Sequence, residues 1–539
     1  MSDTPVQNGA APKGGLIPQT TRVSNLAHFL TRNARRLRDQ PALIWGEARW
    51  SWAELDARVS ACAAGLRARY GVSKGDRVLV QAQNSNQMFE SMLACFRLGA
   101  VWVPTNFRQS PDEVAFLAQS SGAQVMICGA EFPDHAAACS GIRHHLTIGG
   151  GGDDFEALIA EHMGETVANQ AVDHSDPCWF FFTSGTTGRP KAAVLTHGQM
   201  AFVLVNHLND LMPGTGARDA SLVVAPLSHG AGIHQLVNLA AGSTTVLMPQ
   251  GKFEVDTAWK LIEAHRITNL FTVPTIVKML VEDPAVDRYD RSSLRYMIYA
   301  GAPMYRADQK VALERLGPVL VQYFGLGEVT GNITVLPPSE HHPDDAQMRL
   351  GSCGYERTGM EISIQAEDGT ELGANQTGEI CVCGPAVFAG YYNNPEANAK
   401  SFRNGWFCTG DLGHLDAQGY LYITGRSSDM YISGGSNVYP REIEEKMLTH
   451  PALSEVAVLG VPDPKWGEIG VAVCVLKAGA EASEADILAS LKGSMSSYKL
   501  PRQIFFFEEM PKSSYGKITK KMIREALVER GLICLAEPA

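Results

Sequence analysis

Apolar positions recur along this chain with two alternating periods. In "SWAELDARVSACAAGL", Leu55, Val59, Cys62 and Leu66 fall on one helical stripe, and Ser51 and Glu54 stand at capping-box spacing. "DRVLVQA" is a strand pattern, "NQMFESMLACFRLG" a helical one, and "AVWVP" a second short strand. This succession predicts an α/β architecture with a largely parallel sheet.

The pattern changes at "FFFTSGTTGRPKAAVLTH", residues 180–197. Trp179–Phe182 reads as an aromatic strand and "AAVLT" as a second apolar run, with a helix following only after Thr196 and His197. The Gly/Ser/Thr segment therefore joins two strands as a long hairpin instead of opening a helix. A Walker loop is excluded on spacing, since Pro190 precedes Lys191 and Ala192 follows it. The composition still suits phosphate. Thr183, Ser184, Thr186 and Thr187 offer hydroxyl donors, Gly185 and Gly188 allow close backbone approach, and Lys191 adds a charge.

"IGGGGDD", around residues 148–154, reads as a surface loop. "GWFCTGDLGHLDAQGYLYITGR" reads as a strand meander ending at Arg426, where a domain boundary is expected. A small α/β unit follows, with strand "MYI", loop "SGGSN", helix "PREIEEKML", strands "EVAVLGV" and "VAVCVL", helix "EADILASLKG" and strand "QIFFFEEM". Pro440 suits the first helical turn. No internal repeat is visible.

At 539 residues the chain exceeds one core, so two or more domains are expected. The net charge of −11 argues against broad nucleic-acid binding, though not against a local basic pocket for a nucleotide. The 11 cysteines form no pair of CxxC motifs and are expected to be reduced core thiols. "MSDTPVQNGAAPKGG" lacks a secretory pattern and reads as a disordered tail. No apolar run reaches the ~18 residues that span a bilayer. The expectation is a cytoplasmic protein without a membrane span.

Seven motifs stand in order: "TSGTTGRPK", "PLSHGAG", "YAGAPM", "YFGLGE", "GWFCTGDLG", "ITGRSSDMYISGGSNVYPREIE" and "PKSSYGKITKK". Together they resemble the adenylate-forming superfamily of acyl-CoA synthetases, adenylation domains and luciferases, from about residue 25 to 530. The resemblance implies a tail over 1–24 and an AMP-binding domain over 25–426, with stacked α/β sheets and a distorted β-barrel. It also implies a small mobile α+β domain over 427–539 that carries the catalytic lysine.

By the same resemblance, Lys517 is the catalytic lysine that reaches the α-phosphate and carboxylate oxygens. The loop Thr183–Gly188 with Lys191 holds phosphates. Gly301, Ala302 and Pro303 let ligand lie against backbone, Phe324 and Gly325 flank adenine, and Glu328 helps hold Mg²⁺. Asp411 clamps the ribose with Arg426 as its cationic companion, and Ile423 joins the nucleotide set. His229 lies between the acyl site and the thiol tunnel, and His234, Gly301 and Asn332 complete the substrate set. Gly434 and Gly435 border the pantetheine channel of CoA, and Ser428 stands at the hinge between the two half-reactions.

Two positions depart from the family pattern. Gly327 replaces the threonine of aromatic-Gly-x-Thr-Glu, which leaves open whether Thr330 supplies the missing hydroxyl. A threonine restored at 327 is expected to leave ATP use unchanged or improve it. The hinge carries Ser428, followed by Asp429, where Asp or Lys is usual. "EHHPDD" at 340–345 is expected to be a surface loop, because adjacent histidines before a proline do not project together.

The expected reaction joins a carboxylate to CoA with ATP, giving acyl-CoA, AMP and diphosphate, with no nucleic-acid partner and room for a homodimer. An amino-acid adenylation domain is disfavoured, because "PLSHGAGIHQLVNLAAGSTTV" holds no carboxylate for a substrate ammonium. A luciferase-like oxygenase shares the motifs, and a nucleotide-binding pseudoenzyme is disfavoured by Lys517, Glu328 and Asp411. The acyl residues named above include no arginine, which argues against a dicarboxylate. As a whole the chain, including "FGLGEVTGNITVLPP", resembles the bacterial 3-methylmercaptopropionate-CoA ligases of dimethylsulfoniopropionate catabolism. Short- to medium-chain fatty acids are the alternative.

Overall fold

The structure, a computed structural model, describes residues 20–150, 154–184, 189–302, 304–344, 346–349, 351–426, 429–433, 436–491, 495–496, 499–512 and 518–533. The predicted helix forms over Trp52–Tyr70, with both halves of the Ser51/Glu54 capping box made and Gly71 ending it in the left-handed region. Leu55, Val59, Cys62 and Leu66 are all buried. Burial of each leucine is worth roughly 1.5–3 kcal/mol.

Two large sheets are built from strands between Pro41 and Gln322. One orders its strands Pro190–Thr196, Pro177–Ser184, Val101–Pro104, Arg77–Gln81, Val125–Gly129 and His144–Ile148. Only the first pair is antiparallel: Ser184 faces Pro190 and Thr183 faces Lys191, so the expected hairpin is present. The other sheet orders Leu320–Gln322, Tyr296–Tyr299, Asn269–Thr272, Ala220–Val223, Thr244–Leu247, Pro41–Trp45 and Ala48–Ser51, parallel except for its last pair.

Helices Trp52–Tyr70, Asn86–Leu98 and Gly230–Ala241 contribute to the main core together with apolar residues of both sheets. The Asn86–Leu98 helix is buried on nearly every face, which forces its charges to be paired. Glu90 accepts from Arg58 at 2.5 and 3.0 Å, and Arg97 meets Asp56 and Ser60. Removing Arg58 would strand a buried carboxylate at a cost of about 3–5 kcal/mol.

A five-stranded antiparallel sheet follows, and its strands Trp406–Leu415 and Leu421–Arg426 form the expected meander. A further sheet, built from Tyr431–Ser433, Ser436–Val438, Leu453–Asp463, Gly467–Leu476 and Gln503–Phe506, makes the smaller C-terminal unit with its own cores. Its helix Pro440–Met447 starts on Pro440. No helix among the described residues is long and apolar enough to cross a membrane.

The "EHHPDD" segment departs from expectation. His341 is buried, with its ring between Tyr299 Oη at 3.0 Å and the Pro337 carbonyl at 2.9 Å, so one of the two histidines is a core residue. Burial likewise holds His197, His234 and His341 at about 4. Their folded values lie below the unfolded value of about 6.5, so the unfolded chain binds more protons as pH falls. Stability is then full above about pH 6.5 and falls progressively toward pH 4. At pH 5.5 each histidine should cost about 1 kcal/mol relative to pH 7.5. The urea midpoint should drop across that interval; a flat profile would contradict the neutral, buried assignment.

Candidate active site

Chain segments far apart in sequence meet at Glu328. The strand Pro177–Ser184 brings Thr183, whose hydroxyl donates to Glu328 Oε1 at 2.7 Å. Tyr391 donates to the same oxygen at 2.9 Å, and the Phe388 N–H donates to the Glu328 carbonyl at 2.8 Å. Glu328 itself sits in the short 3-10 turn Gly327–Val329 and is only 5% exposed. Burial and the Glu328 carboxylate push the Tyr391 hydroxyl well up, so it stays a donor. Lys191 lies across the hairpin from Thr183, with Nζ 5.2 Å from the Tyr391 ring centroid, a cation–π arrangement.

The glycine at 327 has a steric reason. A Cβ built there would meet the Phe181 ring at 2.6 and 2.7 Å and Thr183 Cγ2 at 2.8 Å. This corrects the expectation that a threonine at 327 is neutral or beneficial: the space is already taken. Thr330 adopts φ +50° and donates to the Val329 carbonyl at 2.7 Å, while the hydroxyl on Glu328 is that of Thr183. Gly325 is equally constrained, since its Cβ would lie 2.4 Å from Gly331 Cα.

His229 stands immediately before the helix Gly230–Ala241 without a side-chain capping bond, with Nδ1 2.8 Å from Ser228 Oγ and its ring edge-on to Phe181 at 5.2 Å. His229, Phe181, Thr183 and Glu328 are thereby brought together. A Cβ at Gly230 would meet the Phe271 ring at 2.7 Å, and Phe271 stacks on Tyr323 at 5.8 Å and 20°. Gly301, at φ +83°, and exposed Ala302 follow the strand Tyr296–Tyr299. Phe324 packs at the edge of the main core, its N–H donating to Thr334 Oγ1 at 3.2 Å.

Asp411 is 5% exposed and faces Arg426 across the antiparallel pair, with Arg426 Nε 3.1 Å from Asp411 Oδ1. Ile423 packs nearby on the same strand as Arg426. His234 is fully buried, its Nε2 donating to Asn269 Oδ1 at 2.8 Å and its Nδ1 3.4 Å from His207 Nε2. Asn332 is also fully buried and donates to Thr330 Oγ1 at 3.3 Å. The Ser184 side chain, Gly185–Gly188, Pro303, Ser428, Gly434, Gly435 and Lys517 lie outside the described residues.

Tyr391 and Phe271 had no signature in the sequence, and only the packing singles them out; Phe181 lies in the aromatic strand and Tyr323 opens the "YFGLGE" motif, but neither had been given a role. Arg357, not among the acyl residues named from the sequence, is buried, and its Nη1 donates to the Gly331 carbonyl at 3.3 Å.

Comparison with known proteins agrees with the motif order. Residues 30–392 match the family described as AMP-binding enzyme, and residues 442–517 its C-terminal domain. The chain is 34% identical to a feruloyl-CoA synthase of Amycolatopsis sp over 505 residues, 93% of this chain and 99% of that protein. It is 34% identical to the indoleacetate–CoA ligase of Aromatoleum aromaticum over 514 residues, 94% and 98% of the two chains. Among solved structures, ATP-bound MatB from Rhodopseudomonas palustris superposes with a TM-score of 0.83 at 30% identity, covering 93% of this chain and 99% of that one.

The close approach at 327 yields a direct test. Gly327→Thr should lower the rate of acid-dependent ATP–pyrophosphate exchange at least about tenfold, since a Cβ inside 3 Å must displace Phe181 or Thr183. Adding Phe181→Leu to the same chain should recover part of the loss. A single variant as active as the parent would contradict the packing described.

Proposed function

The chain belongs to the AMP-binding enzyme family as an adenylate-forming acyl-CoA ligase, and on that footing we propose the following division of labour among its residues. A substrate carboxylate oxygen attacks the α-phosphorus of ATP, and the bond to the bridging oxygen breaks with its electrons leaving on pyrophosphate. The CoA sulfur then attacks the acyl carbonyl carbon, the thiol proton is lost, and AMP departs with the former carboxylate oxygen.

The observation that carries this reading is the Thr183–Glu328–Tyr391 junction beside the Gly/Ser/Thr hairpin. Both hydroxyls bind Oε1, which fixes the carboxylate and leaves Oε2 as a hard oxygen ligand. Glu328 would hold Mg²⁺, which when bound neutralises phosphate charge. Lys191 and the loop hydroxyls hold phosphate oxygens, and Asp411 accepts bonds from the ribose hydroxyls while Arg426 fixes its orientation. His229 borders the reacting carboxylate. Lys517 offsets the charge that grows on the α-phosphate during adenylation. Gly434 and Gly435 border the thiol path after the C-terminal unit turns about Ser428.

The acid is a small to medium carboxylate. The motif likeness nominates 3-methylmercaptopropionate, with short- and medium-chain fatty acids as the competing choice. The names of the relatives extend the range to aromatic acids such as ferulate and indoleacetate.

Lys517→Ala should abolish adenylate formation while leaving thioester formation from a supplied acyl adenylate largely intact. Equal loss of both half-reactions would contradict the two-state assignment. For the acid, kcat/KM should be compared for 3-methylmercaptopropionate, butyrate, hexanoate and benzoate. A lead of at least about tenfold for the first supports it, because one methylene alone is worth roughly 10–200-fold. A lead for any of the others removes it.

A further inference from the structure

Buried polar groups without partners among the described residues are found at and near Asn332, one of the proposed substrate residues. Arg357 is fully buried, yet among the described residues its Nη2 has no hydrogen-bond partner and its Nε lies 3.7 Å from Asp210 Oδ2, beyond hydrogen-bond reach. Asn332 Oδ1 and His207 Nδ1 are likewise buried and unpartnered. Native proteins leave few such atoms unsatisfied, and each costs about 1–3 kcal/mol when it is.

These three residues are neighbours through their contacts. Arg357 Nη1 donates to the carbonyl of Gly331, the residue before Asn332. Tyr323 closes on Gly331, where a Cβ would lie 2.4 Å from its ring, and the His207 and Tyr323 rings meet edge-on at 6.3 Å. The Phe271–Tyr323 stack reaches back to Gly230, beside His229. A chain of packed aromatic contacts thus links Gly230, beside His229, to Gly331 and the Arg357 cluster.

The hydrogen-bond pattern defines what the cluster lacks. His234 Nε2 donates to Asn269 Oδ1, so its Nδ1 is an acceptor and faces the Nε2–H of His207; that tautomer leaves His207 Nδ1 an acceptor. Asn332 Oδ1 is a second acceptor, and Arg357 Nη2 is a donor. A group that both accepts and donates would satisfy atoms of both kinds. The Arg357 charge is already matched by Asp210, which itself accepts from the Thr358 N–H at 2.8 Å and from Thr358 Oγ1 at 2.8 Å. A second carboxylate in the substrate would therefore be in excess.

We infer that Arg357, with Asn332 and His207, is a specificity determinant of the acyl site and selects acids that carry a neutral hydroxyl at the end remote from the reacting carboxylate, on a flat apolar body. This rests on the ligase reading above but competes with its nomination of 3-methylmercaptopropionate, whose sulfur is a weak acceptor and no donor.

The test uses matched acids on the full chain: benzoate, 4-methylbenzoate, 4-hydroxybenzoate and terephthalate, with 3-phenylpropanoate and its 4-methyl and 4-hydroxy forms to vary reach. In at least one series the hydroxy acid should exceed its methyl isostere in kcat/KM by about tenfold or more, because a site built to bond a hydroxyl strands its own groups against the analogue. In Arg357→Leu that ratio should fall to within about threefold of one, and Arg357→Lys should retain part of it. Should Arg357→Leu fail to fold, the parent enzyme's ratios still decide. Methyl acids equal to or better than hydroxy acids in both series overturn the inference, as does a preference for terephthalate over 4-hydroxybenzoate. A preference that survives intact in folded Arg357→Leu also overturns it. A chain that forms acyl-CoA from none of these acids, nor from 3-methylmercaptopropionate, butyrate or hexanoate, overturns the ligase reading and this inference together.

Discussion

The site depends on one buried carboxylate. Glu328 is almost closed to solvent, and a charge in that position persists only where hydrogen bonds replace its water. Thr183 and Tyr391 provide them from segments 145 and 63 residues away along the chain. The two bonds fix where the strand Pro177–Ser184 ends relative to the turn that carries Glu328. Phe181 and Thr183 must then lie close against that turn, and this closeness is what requires glycine at 327.

The rest of the architecture delivers groups to that junction. In the larger parallel sheet the strands ending at Tyr299 and Gln322 lead into Gly301 and Phe324, and Phe271 stands near the carboxyl end of the strand Asn269–Thr272. Open α/β sheets place their ligand crevice at the carboxyl ends of the strands for this reason. In the main core, the helix Asn86–Leu98, buried on nearly all faces, has its Glu90 paired with Arg58 of the helix Trp52–Tyr70. Asp411 arrives from a separate antiparallel sheet, held opposite Arg426 by strand register.

Much of this was legible in the sequence because it is local. The capping box at Ser51, the aromatic strand before "TSGTTG", the hairpin returning through Lys191 and the helix beginning on Pro440 each follow from spacing within a dozen residues. What escaped is made by packing across long separations. Nothing around Gly327 discloses that Phe181 occupies the space of its absent side chain. Arg357 looks like a surface arginine in "GYERTG", and His341 like a loop histidine beside His342, until the fold buries both. The positions of Lys517, Ser428, Gly434 and Gly435 in the reaction rest on motif likeness alone.

The central claim is that this chain cleaves ATP between the α- and β-phosphates by attack of a substrate carboxylate. The measurement that tests it most directly follows oxygen: a carboxylic acid labelled with ¹⁸O in both carboxyl oxygens is turned over with ATP and CoA, and the products are analysed by mass spectrometry. The account predicts AMP carrying one ¹⁸O, an acyl-CoA carrying the other, and unlabelled pyrophosphate. Label appearing in inorganic phosphate, with ADP as the nucleotide product, would contradict it.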